Sequence, residues 1–171
     1  MTSAECILAA VTAQRGGELV LSYYNTRRLK ARGAVEVAPQ HYPLVVAVHA
    51  AWLISLWVFG HDRPIDIGAL LLYLVLQGLR LWVMRTLGPR WTTRIIVLPG
   101  EKLVSAGPYR WLAHPNYAVV AGEIAVLPLV LGLPWLAATF TILNAAVLFI
   151  RIRAENRALE ASRKMTARAA P

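Results

Sequence analysis

The sequence predicts an all-α integral membrane protein with five transmembrane helices, the last two forming a helical hairpin, and a further C-terminal helix. Three observations carry that prediction. Of 171 residues, 57% are hydrophobic and 16% charged, and the mean hydropathy is +0.51; soluble domains average about 45–50% apolar and about 25% charged. One soluble core of this length cannot hide so much apolar surface, and disordered chains are poor in apolar residues. The apolar residues gather in stretches at 44–59, 67–84, 117–133 and 135–150, each 16 to 18 residues long. Flanking aromatic and Arg side chains complete such spans across a hydrocarbon layer of about 30 Å. The basic charge is partitioned as well: residues 25–41, 85–116 and the tail from 151 hold fifteen Lys and Arg, whereas the alternate loops hold one, Arg63.

The first expected span, residues 4–24, is the most polar. Arg15, Glu18, Ser22 and Asn25 follow at +3, +7 and +10 and share one helical face. Such a stripe fits either an amphipathic surface helix or a spanning helix whose polar side faces the bundle interior; the charge partition favours the second. By the positive-inside rule the N-terminus is then outside, with loops 25–41 and 85–116 and the C-terminus cytoplasmic. The second and third spans (44–59, 67–84) are joined by a short loop. The fourth and fifth are joined by Leu133-Pro134 alone, which forces an antiparallel hairpin. Residues 152–168 continue as a basic helix beyond the membrane surface. No internal repeat divides the chain, so residues 1–171 are expected to form one membrane domain.

Composition also limits function. The net charge of +9 is explained by topology rather than by nucleic-acid binding. A single cysteine, Cys6, excludes an intrachain disulfide framework and a Cys-based metal cluster, and no metal site is expected. A basic n-region followed by a long apolar core, the mark of a cleavable signal peptide, is missing at the N-terminus. No GxGxxG follows a strand, and no P-loop, HExxH or nucleophile elbow occurs.

Polar groups inside spans are costly and mark function by default. Here they are His49, Gln77, Arg80, Glu123 and Asn144. Glu123 is the natural partner of Arg80, in a pair that serves either function or helix register. His49 reads as a hydrogen-bonded packing residue rather than a ligand. On the last helix, Asn144, Arg151 and Glu155 fall at 0, +7 and +11, one stripe running from membrane depth to the cytoplasmic surface. An i,i+4 salt bridge between the last two is the simpler reading. The preceding loop, however, is dense in Gly, Pro and aromatic residues and ends in His114-Pro115-Asn116-Tyr117 at a helix start, whose free N–H groups suit a carboxylate or phosphate.

Gly107-Pro108-Tyr109-Arg110, His114-Pro115-Asn116-Tyr117 and the run from Arg151 through Glu155-Asn156 to Leu159 resemble the isoprenylcysteine carboxyl methyltransferase family. The resemblance covers residues 90–160. Phospholipid N-methyltransferases and some sterol reductases share the GPYR…HPxY element. The N-terminal half, with Arg15, Glu18, Asn25, Glu36 and His41-Tyr42-Pro43, resembles a bacterial branch that O-methylates long-chain alkylpyrones or alkylresorcinols. The resemblance implies S-adenosylmethionine as methyl donor, held without a Rossmann fold by Glu101, Lys102, Leu103, Val104, Tyr109, His114, Pro115, Asn116, Tyr117 and Glu155. It implies that Arg151 is catalytic and faces a lipophilic or prenylated acceptor, with Asn144 beside it on the same stripe. Ala113 stands where the family usually has Arg. Asn156 replaces a second acidic residue, which leaves Glu155 as the one carboxylate of that pair.

Methyl transfer from a sulfonium gains from alignment and from removing water around the nucleophile. Arg151 suits a carboxylate, a phenolate or an enolate. A hydroxyl acceptor also needs a base, for which His114, His41 and Glu36 are the candidates. N-methylation of a phospholipid amine is the alternative reaction, and a non-enzymatic membrane scaffold the alternative class.

Overall fold

The computed structural model describes residues 2–101 and 103–169, with side chains as far as residue 160 apart from 159. Its helices are α1 (Ser3–Ala31), α2 (Tyr42–Gly60), α3 (Ile67–Leu87), α4 (Pro115–Val130) and α5 (Pro134–Ala169). Their limits follow from local chemistry. At the start of α1, Thr2 and Glu5 form a capping box: the Glu5 N–H donates to Thr2 Oγ1 at 3.1 Å and the Thr2 N–H to Glu5 Oε2 at 2.7 Å. Asp66 caps α3 by accepting the Ala69 N–H at 2.8 Å. Helices α4 and α5 begin on Pro115 and Pro134, where a missing N–H costs nothing.

Helix α1 continues to Ala31, two turns beyond the expected end of the span at Tyr24. No breaker occurs before Gly33, and Asn25, Thr26 and Leu29 are buried in the helical continuation. Conversely, α4 stops at Val130 rather than 133, because Leu131 leaves helical geometry and Gly132 turns with φ +65°. Short strands that the sequence pattern does not reveal, β1 (Val35–Glu36) and β2 (Ile96–Val97), pair antiparallel and bring the two basic loops together.

Helix α4 packs between α3 and α5, and α2 packs on α1, α4 and α5. Their shared core includes Leu8, Trp52, Leu56, Ile124, Leu127, Leu131 and Leu136. The outer faces stay apolar: Ile54, Leu71, Val75 and Ile142 are each more than half exposed. Among the described residues, Pro39–Gly60, Ile67–Arg90 and Pro134–Ala158 are long and apolar enough to cross a membrane. Helix α4 is apolar but only 16 residues long, about 24 Å at the usual helical rise. Helix α1 has the length, but its polar stripe leaves it less apolar than those three. The protein is a membrane protein, with lipid the natural cover for those faces.

The polar residues of α1, α3 and α4 meet in one buried network. Arg80 donates through Nε and Nη2 to the two oxygens of Glu18, both at 2.5 Å, and through Nη1 to Glu123 Oε2. Arg15 bridges the same carboxylates, donating to Glu18 Oε2 and Glu123 Oε2 at 2.9 Å. Gln14 and Gln77 satisfy remaining acceptors: Gln14 donates to Glu18 and Gln77, and Gln77 donates to Glu123, all at 2.8–2.9 Å. Two guanidiniums and two carboxylates thus cancel in charge. The expected Arg80–Glu123 pair is present, inside a larger set that includes the α1 stripe.

Candidate active site

A cavity of about 1100 Å³ opens where the loop before α4 meets α1, α2 and α5. That exceeds the usual small-molecule site of about 300–1,000 Å³. One end is walled by Glu101, Tyr109, His114 and Glu155; the other reaches Val46, His49, Leu53, Arg15 and Arg80 at membrane depth. Thr12, Gly16 and Leu19 of α1 and Val46 and Ala50 of α2 line the cavity and are also exposed, so it opens sideways between those helices.

At the loop end, the Tyr117 hydroxyl donates to Glu155 Oε2 at 2.5 Å, and its ring stacks on His114 with centroids 5.4 Å apart. His114 Nε2 lies 3.1 Å from Asn156 Oδ1, and its Nδ1 lies 3.8 Å from Glu155 Oε2. The Asn156 that departs from the family pattern therefore fixes the His114 ring. Burial, with the Glu155 carboxylate second, pushes the Tyr109 hydroxyl up to about 12, so at neutral pH it can only stay protonated. Glu101 is engaged by Arg32 at 3.0 Å and Arg90 at 2.8 Å, which ties the cavity rim to the end of α1.

Deeper in, Asn144 and Arg151 lie two turns apart on α5, both buried and both lining the cavity. Arg151 Nη2 donates to the Thr93 carbonyl at 2.9 Å, and its guanidinium sits 5.6 Å from the Tyr117 ring centroid. Arg151 Nε and Asn144 Oδ1 are buried without hydrogen-bond partners.

Thr93 is a residue that sequence reasoning missed. Its N–H donates to Ser22 Oγ at 2.8 Å, its hydroxyl lies 2.8 Å from Ser22 Oγ and 3.1 Å from the Tyr42 hydroxyl, and its carbonyl holds Arg151. Asn25 Nδ2 secures the same segment through the Trp91 carbonyl at 2.8 Å. The only sequence signal was the α1 stripe itself, whose Ser22 and Asn25 required partners.

Of the residues expected to hold the methyl donor, Glu101, Leu103, Val104, Tyr109, His114, Asn116, Tyr117 and Glu155 line the cavity. Pro115 does not; it is buried as the first residue of α4. Lys102 lies outside the described residues. The base candidates separate: His114 lines the main cavity, whereas His41 and Glu36 line a pit of about 10 Å³ beside it. Burial opposes the charge on Glu36, but Lys30 at 2.6 Å and Arg94 outweigh it and hold the carboxyl below its ordinary value. Glu36 is thus committed to those cations. Among the described residues no group of His, Cys, Asp and Glu has the make-up of a metal site.

Gly107 shows why the loop motif needs glycine. Its φ is +55°, and a Cβ there would lie 2.5 Å from Thr86 Oγ1, which is already bonded to the Trp82 carbonyl. Gly107→Ala is expected to cost about 1–3 kcal/mol through overpacking and left-handed strain, read as a lowered Tm in detergent.

The chain is 36% identical over 159 residues to the uncharacterized protein YpbQ of Bacillus subtilis, covering 90% of this chain and 95% of that protein. It is 23% identical over 158 residues to an uncharacterized protein of Haemophilus influenzae, covering 88% and 91% respectively. No solved structure matches significantly. The isoprenylcysteine carboxyl methyltransferase (ICMT) family profile matches residues 69–161, from α3 through the loop and the α4–α5 pair that wall this cavity. The chain belongs to the ICMT family of membrane methyltransferases.

Proposed function

We propose that the protein is an S-adenosylmethionine-dependent O-methyltransferase acting on a lipophilic acceptor in the membrane. The observation that carries this reading is one continuous cavity, with a polar carboxylate-bearing mouth at the loop and an apolar depth that opens between α1 and α2. The residues at the mouth fit the donor. Glu155 Oε2 is occupied by Tyr117, and among the described residues no hydrogen bond uses Oε1, which leaves an acceptor for an ammonium or ribose hydroxyl. The rings of His114 and Tyr117 offer faces suited to a cation or a purine. Bound there, S-adenosylmethionine supplies a methyl group on an electron-poor sulfonium.

The chain's own residues supply position and charge. On this reading Arg151, which lines the cavity, meets the acceptor oxygen, and Asn144, two turns earlier on α5, lines it deeper. The apolar walls exclude water and receive the hydrocarbon tail from the bilayer. The acceptor is either the carboxylate of an isoprenylcysteine-type molecule or the hydroxyl of a long-chain alkylpyrone or alkylresorcinol. Phospholipid N-methylation is disfavoured, since a buried guanidinium repels an amine headgroup. In the accompanying topology the chain crosses the membrane five times, α4 and α5 as a hairpin. The N-terminus lies outside, and loops 25–41 and 85–116 and the C-terminus are cytoplasmic, as the fifteen-to-one division of basic residues supports.

Transfer of a labelled methyl group in native membranes tests this reading. A farnesylcysteine analogue, an alkylresorcinol and total lipid extract are offered separately to wild type and Glu155→Gln. One acceptor becomes labelled by wild type, and Glu155→Gln loses donor affinity by about tenfold, the scale of one charge-assisted hydrogen bond. No transfer, together with no donor binding by purified protein, would instead support a membrane scaffold.

A further inference from the structure

We infer that Tyr42, the first residue of α2, binds the acceptor: its hydroxyl donates to a second oxygen of the acceptor's head, beside the one methylated. This rests on the methyltransferase reading above and adds a specificity-determining contact to it. The placement of Tyr42 starts from the pairing of β1 with β2, extended by the Val37 N–H, which donates to the Ile95 carbonyl at 2.9 Å. That pairing brings Arg94 against Glu36. Held there, the Arg94 guanidinium lies 4.0 Å from the Tyr42 ring centroid, a cation–π contact that covers one face of the ring. The Tyr42 hydroxyl lies 3.1 Å from Thr93 Oγ1.

Thr93 holds two cavity-lining groups at once. Its side chain meets Tyr42, and its carbonyl accepts Arg151 Nη2 at 2.9 Å. All three residues line the cavity. The Tyr42 hydroxyl and the Arg151 guanidinium are therefore neighbours across a single residue, one carried by α2 and the other by α5. Tyr42 also stands where the polar wall ends. The next cavity residues along α2 are Val45 and Val46, then His49 and Leu53. An amphiphile whose tail follows α2 places its head at Tyr42.

The hydrogens decide what Tyr42 offers. The Thr93 N–H donates to Ser22 Oγ at 2.8 Å, and the two side-chain oxygens lie 2.8 Å apart. A hydroxyl has one hydrogen and two lone pairs. Run from Ser22 through Thr93 to Tyr42, each hydroxyl gives its hydrogen to the next, and the Tyr42 hydrogen is left for the cavity. Thr93 is then a positioning residue that acts through Tyr42. Two donors flanking one residue suit a head with two oxygens, either a carboxylate or a ring that bears both. Contact with the oxygen that does not react is alike in the ground and transition states, so it sets affinity rather than rate.

The experiment measures calorimetric binding in the presence of S-adenosylhomocysteine. The ligands are a long-chain alkylresorcinol, the matching alkylphenol with one hydroxyl, and a farnesylcysteine analogue. Tyr42→Phe keeps the ring on Arg94 and removes only the hydroxyl. Whichever two-oxygen ligand wild type binds is expected to lose about tenfold in affinity in Tyr42→Phe, the scale of one hydrogen bond. If that ligand is the resorcinol, wild type should prefer it to the alkylphenol by the same factor, and Tyr42→Phe should bind the two alike. Thr93→Val keeps the carbonyl for Arg151 and should match Tyr42→Phe, with no further loss in the double variant. Thr93→Ser should restore affinity. A lowered Tm with unchanged affinities in Tyr42→Phe would make the hydroxyl a structural tie and overturn the inference. Equal losses for the resorcinol and the alkylphenol would overturn it too, as would binding of neither two-oxygen ligand by wild type. In each of those cases S-adenosylhomocysteine still binds, and the methyltransferase reading stands. That reading fails separately, if wild type binds no S-adenosylhomocysteine and labels no lipid.

Discussion

Glu123→Ala should leave little folded protein in detergent, the largest stability loss expected of any single change in this chain. Glu123 is 1% exposed and accepts hydrogen bonds from Arg15, Gln77 and Arg80. Its removal strands a net positive charge between α1, α3 and α4. Breaking a buried pair on one side costs about 3–5 kcal/mol, against a total stability of about 5–15 kcal/mol for a typical domain. The double variant Arg80→Leu/Glu123→Leu removes one charge of each sign and should recover much of the loss, because Arg15 and Glu18 still pair at 2.9 Å. Thermal unfolding of both single variants and the double variant measures the coupling; additive losses would mean that the four charges do not act together.

Arg151→Ala should give the largest loss of turnover without a matching loss of the donor. Its side chain lines the cavity, while Glu155 and His114 at the mouth lie one turn or more away. Removing one donor aimed at developing negative charge typically costs about 10²–10³ in kcat. Affinity for S-adenosylhomocysteine should change by less than about threefold, since each 1.4 kcal/mol is tenfold and no donor contact is removed. Arg151→Lys should not restore the rate, because an ammonium keeps the charge but not the planar fork that also reaches the Thr93 carbonyl. Equal loss of donor binding and turnover in Arg151→Ala would refute this division of labour.

The sequence made some layers of this structure visible and hid others, for physical reasons. Apolar runs marked α2, α3, α4 and α5 because burial in lipid demands unbroken hydrophobicity, which needs no partner to be recognised. The Asn144–Arg151–Glu155 stripe was legible because helical period alone puts those residues on one side. The α1 stripe showed that Arg15, Glu18, Ser22 and Asn25 share a face, and Arg80 was matched with Glu123, but nothing local joined the two observations. Glu18 lies 62 positions from Arg80 and Ser22 lies 71 from Thr93, and such pairings leave no periodic trace. Two-residue strands are too short to show alternation, so β1 and β2 were invisible. His49 looked like packing, and its Nδ1 does sit 2.9 Å from the Val45 carbonyl; that it also lines a cavity follows only once the cavity exists.

The turn at residues 61–66 marks a seam of another kind. Before it lie Tyr42 and His49 and the helices flanking the sideways opening; after it lie the loop and helices whose residues wall the mouth, and with them the family profile. On the proposed reading the side walls around the acceptor's tail come largely from the first length of chain, whereas the mouth, Arg151 and Asn144 come from the second. Exchange of the first sixty residues between relatives is then expected to alter the tail's pocket while keeping the residues of the mouth. The four charges of the network restrict that trade. A transplanted first half is compatible only if it brings an arginine and a glutamate to meet Arg80 and Glu123, so the network acts as a molecular passport between halves that are otherwise free to diverge.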